Sequence, residues 1–190
     1  MEVMALILIL SVFNGLEDFQ KGLFQTFDPD LKIIDKNSPR FIISKEKLKQ
    51  IKALSGITFI NPVLEDQALL RFGNKQVVAS FKGVDDSFLN ANRLKKQVVE
   101  GDYFLKSDGQ SFALVGIGVF LNMGMSFENV VEPVEAWYPN HQSLRKFSIN
   151  EEAIRSNIFY PAGVIEVEQT FDNQAVIVPL DWMNDLVGAE

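Results

Sequence analysis

Residues Val3 to Phe13 read VMALILILSVF, an apolar run whose one weakly polar residue is Ser11. A helix that crosses a bilayer needs roughly 20 apolar residues, so this run alone cannot span one. Only Met1 and Glu2 precede it, and Glu2 has the wrong sign for the basic start of an export signal. Three readings stay open: a buried element of a soluble core, a degenerate signal, or the later part of a membrane helix. The next residues favour the last. From Val12, apolar residues recur at Leu16, Phe19, Leu23 and Phe27, steps of three and four that mark one helical face. No proline intervenes before Asp28, so one helix over residues 3–27 is predicted, its first part presenting exposed apolar side chains. Asp28-Pro29-Asp30 then stops it, since proline cannot continue a helix and disfavours helix at the residue before.

The remaining length suits one domain, or one domain carrying a subdomain. A formal net charge of -7 argues against nucleic acid, whose binders cluster Lys and Arg on phosphates. It argues equally against tight docking on an anionic membrane surface. With no cysteine, disulfides and thiolate metal sites are excluded. The single histidine, His141, sits in a loop-like Pro139-Asn140-His141-Gln142-Ser143 and excludes chemistry that needs two.

Along the chain, Leu31–Ile34 reads as a short strand and Ser44 as the N-cap of a helix with Leu48, Ile51 and Leu54 on one face, stopped near Gly56. Ile57–Val63 reads as a strand. Ala68–Phe72 and Gln76–Phe81 flank Gly73-Asn74 as a tight hairpin. Residues 87–106 are polar and irregular. Phe112–Met125 reads as a strand running into a short helix, Val130–Tyr138 as a strand and 141–156 as loop. Gly163–Val167 and Ala175–Val178 are further strands, and Pro179 opens a last helix with Leu180, Met183 and Leu186 on one face. Strands with short helices between them, without regular βαβ alternation, give an α+β class. Residues 163–178 are expected to return to the sheet of 57–82.

Each candidate for chemistry has a plainer explanation. Gly116-Ile117-Gly118 begins like a phosphate loop, but Leu121 stands where the third glycine belongs and no P-loop lysine follows; close helix packing accounts for the glycines. Asp28 and Asp30 fail the calcium-loop pattern, with Ile33 at the glycine position and Pro39 at the glutamate position. Asp85-Asp86 fits a turn, and no serine sits in a triad signature. Lys45, Lys47, Lys49 and Lys52 make either a solvated helix face or a docking patch for an acidic partner. Trp137, Tyr138 and Pro139, ahead of a polar loop, either close the core or form a hot spot for a protein partner. Catalytic, cofactor-binding and metal-binding residues are none.

Six segments carry a resemblance: LILSVFNGLEDF at 8–19, FDPDLKI at 27–33, VASFKGVDDSF at 78–88, VVEGDYF at 98–104, ALVGIGVFLNMGM at 113–125 and GVIEVEQTFDNQAVIVPL at 163–180. In this order they resemble the extracytoplasmic domain of ABC-transporter permeases of the lipoprotein-releasing (LolC/LolE) type, within the MacB/FtsX-like superfamily. The resemblance implies a porter-like mixed sheet with flanking short helices. Residues 1–27 would be the end of a membrane helix continuing as an amphipathic one, 28–85 and 158–190 the porter-like core, and 86–157 an inserted β-rich subdomain. It implies a non-enzymatic domain facing the periplasm from the inner membrane, anchored through its N-terminal helix. The implied partners are a cytoplasmic ATPase subunit, a paired permease, and a lipoprotein or its periplasmic carrier. The implied work is to couple ATP-driven motion to lipoprotein release. Rival readings are the same fold in macrolide-efflux (MacB-type) coupling and a free-standing soluble binding protein.

Overall fold

The computed structural model describes residues 4, 7, 9–15, 29–36, 38, 40–92, 94–129, 132–140 and 154–189. The chain forms two compact units, Met1–Pro39 and Arg40–Glu190. In the first, residues 9–15 are helical, and Ile9, Leu10, Val12 and Phe13 are exposed, as are Met4 and Ile7. The extension of this helix to residue 27 lies outside the described residues. Among the described residues no helix is long and apolar enough to cross a membrane. Residues 31–34 are exposed and irregular, not the strand their composition suggested: β-branched residues gain from packing in a paired sheet, and among the described residues no strand pairs with this segment.

The second unit opens with α1 (Lys45–Lys52), capped by Ser44, whose Oγ accepts from the Lys47 N–H at 3.4 Å. β1 (Val63–Phe72) and β2 (Lys75–Val84) follow as an antiparallel hairpin. Its Gly73 has φ +55° and Asn74 does not share the positive sign, the pattern of a type II′ turn with glycine at its first central position. Residues 57–62 are irregular, not strand. Pro62 lacks an N–H, and β2 ends at Val84 opposite Val63, so among the described residues no strand continues beside them. Next come α2 (Asp86–Asn90), β3 (Val98–Gly101), β4 (Lys106–Ser107), β5 (Gln110–Gly116) and α3 (Ile117–Met123). After these stand β6 (Val134–Pro139), β7 (Ile154–Ile165), α4 (Gln169–Asp172), β8 (Ala175–Pro179) and α5 (Leu180–Val187). Asp85 is the cap of α2, its Oδ1 accepting from Phe88 N–H, which is the turn role its pairing with Asp86 suggested.

Among the described residues the strands run in the order β3-β7-β6-β1-β2-β8-β5-β4. β7 pairs with β6 over its first half and with β5 over its second, so β7-β6-β1-β2-β8-β5 closes into a ring of pairings. β8 lies parallel to β2, returning residues 175–179 to the sheet of β1 and β2. Segment 86–157 supplies β3, β4, β5 and β6 to these pairings. β7 begins at Ile154, inside the stretch expected as loop. Its first half alternates through Arg155 and Asn157, which serve α5: Asn157 Nδ2 donates to the Trp182 carbonyl, and the Arg155 guanidinium fills the space beside Gly188 at the C-terminal end of the helix.

Period-two alternation divides the sheet into two faces. Leu70, Ala79, Phe81, Ala113, Val115, Val134, Ala136, Phe159, Val176 and Val178 turn to the face covered by α3 and α5 and form the main core. Its centre is aromatic. Phe81 stacks on Trp182 at 5.7 Å, and Phe159 meets both edge-on at 6.1 and 5.6 Å. Trp182 also donates from Nε1 to the Ile158 carbonyl at 2.7 Å, so its polar edge is satisfied. Leu114 and Ile177, opposite each other in register, turn the other way, and with Leu94, Leu105 and Ile165 are buried outside that core.

Candidate interaction surface

The three residues singled out in the sequence lie at the end of β6, where alternation separates them. Tyr138 turns inward and is 5% exposed. Its hydroxyl donates to Asp66 Oδ2 at 2.8 Å and accepts from Arg40 Nη2 at 2.8 Å. Arg40 also pairs directly with Asp66, and its guanidinium lies 5.8 Å from the Tyr138 ring centre. Tyr138 therefore belongs to a hydrogen-bonded cluster, not to an open surface. Trp137 and Pro139 turn to the opposite face.

Among the described residues no element covers that face across β7, β6, β1 and β2. Trp137 is half-buried, faces Leu69 on one side and Ser156 on the other, and Leu69 in turn faces Val78. Its Nε1–H donates to Glu135 Oε2 at 3.1 Å, and the Arg71 guanidinium stands 5.5 Å from its ring centre. Val78, Ile154 and Ile158 on the same face are exposed. The Trp137 ring is thus held between an arginine and a carboxylate, with exposed aliphatic neighbours on the same face. His141 and the loop after Asn140 lie outside the described residues.

The glycines of Gly116-Ile117-Gly118 serve packing. A Cβ on Gly116 would come within 2.4 Å of the Asp172 carbonyl oxygen, and one on Gly118 within 2.1 Å of Asn173 Oδ1, so α4 presses directly on this strand-to-helix junction. An open hollow of about 350 Å³ lies beside Glu100, Asp102, Phe104 and Phe112. Another of about 430 Å³ lies beside Gly118, Leu121, Glu166, Glu168 and Asp172. Among the described residues no group of three His, Cys, Asp or Glu is placed to hold a metal ion.

Among the described residues four carboxylates depart from their ordinary values: Glu168, Asp181 and Asp66 are lowered and Asp172 is raised. Burial raises the pKa of Asp66, but hydrogen bonds from Tyr138, the Gln67 N–H and Arg40 outweigh it and hold the group below its ordinary value. Burial raises Asp172 as well. There the Val167 N–H, donating to both oxygens at 3.0 Å, is outweighed, with the charges of Glu166 and Glu168 adding to the rise. A lowered folded pKa contributes stability above the unfolded value of about 3.9, lost as pH falls through the folded one. A raised one does the reverse: stability is greatest while the group is protonated and declines as pH climbs from the unfolded to the folded pKa. Thermal melts across pH should therefore show Asp66→Asn flattening the acid limb, and Asp172→Asn raising stability at neutral pH more than at pH 3. A variant Asp66 with an unchanged acid limb would remove the cluster from this account.

No family model and no curated protein matches the sequence. Solved structures do. The fold is shared with extracytoplasmic domains of ABC-type transporters. It is similar to the extracellular domain of the noncanonic ABC-type transporter YknZ from Gram-positive bacteria, with a TM-score of 0.53 and 12% identity over 77% of this chain and 67% of that one. It is similar also to the periplasmic region of MacB from Actinobacillus actinomycetemcomitans, with a TM-score of 0.51 and 12% identity over 84% of this chain and 66% of that one. This chain thus spans about two thirds of the length of either domain. The α+β class and the mixed sheet expected from the sequence are those of this fold. The identities are too low to carry cargo or partners across.

Proposed function

We propose that this chain is the extracytoplasmic part of an ABC-transporter permease, facing the periplasm from the inner membrane, and that it works by protein contact without catalysis of its own. The observation that carries the reading is the fold shared with the YknZ and MacB domains. The exposed apolar helical residues near the N-terminus support a membrane anchor on the same chain. In this reading the domain relays motion driven by a cytoplasmic ATPase, beside a paired permease, to a lipoprotein or its soluble carrier. The order of the resembling segments between 8–19 and 163–180 favours lipoprotein release. The likeness to the MacB periplasmic region favours efflux coupling as a second reading.

Trp137 and its neighbours on the open face are the proposed contact. Trp137→Ala in the intact transporter is expected to lower lipoprotein release from spheroplasts about tenfold, the loss a central aromatic hot spot gives. Co-purification of the ATPase should be unchanged. Normal release with increased macrolide sensitivity would transfer the assignment to efflux. Normal behaviour in both assays would overturn the assignment of this face.

A further inference from the structure

The second unit carries a charge asymmetry that its net charge hides. Residues 41–60 hold four lysines against one acid, Glu46, a balance of +3 in a chain of -7, so everything else carries -10. Lys45, Lys49 and Lys52 are spaced four and three apart on α1, which aligns them along one helical face, and all four lysines are exposed. Among the described residues none of them has an ion-pair partner.

The apolar residues around them are exposed too. Ile42 just before the helix is 84% exposed and Leu54 just after it 61%, with Phe41 and Phe59 also in water. A merely solvated basic helix has no reason to carry bare isoleucine, leucine and phenylalanine at both its ends. Basic side chains flanked by outstanding aliphatic and aromatic ones are what a segment lying in a lipid headgroup layer presents: lysines meet phosphates while the apolar groups sink to the acyl boundary. An acidic protein would also attract the lysines. Ile42 and Leu54, standing out from the two ends of the helix, suit a fluid boundary better than a shaped pocket.

We infer that α1 and its flanks, residues 41–60, are a docking surface for an anionic membrane. The acidic remainder, repelled by the same lipid, would orient the domain with this segment toward the bilayer. The inference does not depend on the transporter reading.

The test is co-sedimentation of the full chain with vesicles of equimolar phosphatidylglycerol and phosphatidylcholine, and with vesicles of phosphatidylcholine alone. The apolar run at 3–13 gives binding to both, so the readout is the preference between them. The expected preference for the anionic vesicles is about a hundredfold at low salt, as the segment's net balance of three positive charges gives, and it should collapse at high salt. Replacing Lys45, Lys47, Lys49 and Lys52 by Gln should abolish the preference. Ile42→Ser with Leu54→Ser should weaken binding to both vesicle types while keeping it. Should the fourfold variant misfold by circular dichroism, Lys49→Glu alone is read in its place and should reduce the preference. Equal binding to the two vesicle types, or a preference that survives the lysine changes, overturns the inference. So does self-association of the chain that the lysine changes abolish without any vesicle preference, which would assign the patch to the acidic surface of a second copy.

Discussion

Phe81→Ala should lower the melting temperature by about 10–15 °C, the largest effect expected from a single truncation in this protein. Phe81 is 1% exposed and stands between Trp182 and Phe159, whose rings it holds in stacked and edge-on contact. Removing a buried phenylalanine costs about 3–5 kcal/mol, because the lost transfer free energy is joined by that of the cavity left behind. Here the neighbours cannot collapse freely. Trp182 is tied through Nε1 to the Ile158 carbonyl, and Phe159 is fixed on β7 between pairings with β6 and β5. At about 2–4 °C per kcal/mol for a unit of this size, the shift follows. Phe81→Leu, which keeps most of the volume, should lose less than half as much. A shift below about 3 °C for the alanine variant would mean that the aromatic cluster is not the centre of the core.

Gly116→Ala should destabilise the protein by about 2–3 kcal/mol although it adds only a methyl group, the range that overpacking costs. The added Cβ would stand 2.4 Å from the Asp172 carbonyl oxygen and 2.9 Å from its carbonyl carbon and Cα. These are backbone atoms, so no side-chain rotation relieves the overlap. α4 must move away from the junction, and Asp172 is buried with both its oxygens on the Val167 N–H. Gly15→Ala has no atom within 4 Å of its added Cβ and is the matched control, expected to change the melting temperature by no more than a degree or so. Denaturant unfolding followed by tryptophan fluorescence measures both. Equal stabilities for the two variants would contradict the tight approach of α4.

These two sites show what the sequence disclosed and what it withheld. Gly116 and Gly118 were readable as packing glycines because a phosphate loop needs a third glycine where Leu121 stands. What they pack against was not readable, since α4 is distant in the chain. The Gly73-Asn74 hairpin, the strand-to-helix run expected over Phe112–Met125 and the helix opened by Pro179 are local patterns, and all three are present, the second ending at Met123. Asp108-Gly109 is an equally local signal, with both residues at positive φ joining β4 to β5, and it went unread because β4 is only two residues long. The strand read at Gly163–Val167 meets only the end of β7 (Ile154–Ile165), for a physical reason. Arg155, Ser156 and Asn157 are all polar, so the alternation of their burial leaves no trace in the sequence, and Pro161 sits inside the strand, a residue that usually marks an edge or a break.

The Arg40, Asp66 and Tyr138 cluster had no sequence signal at all. Its members stand 26 and 72 residues apart in turn, and no periodicity links them. For the aromatics at 137–138, the sequence leaves open whether they close the core or stand at a surface. Only the register of β6 against β1 decides that Tyr138 does the former and that Trp137 lies on the open face.

The ring of pairings also dictates an order of events during synthesis. β1 and β2 are joined by two residues and can pair as soon as they leave the ribosome. The other edge of β2 waits for β8, whose Ala175 meets Ser80 across ninety-odd residues of chain. Until then the strand that carries Phe81 has one row of amide and carbonyl groups uncovered, beside apolar side chains with no α5 above them. Most of the unit must therefore be made before any of its core can close. A nascent chain halted before residue 175 would present an adhesive edge. Chaperone crosslinking to stalled chains should be strong at lengths short of residue 175 and vanish once residue 187 has emerged.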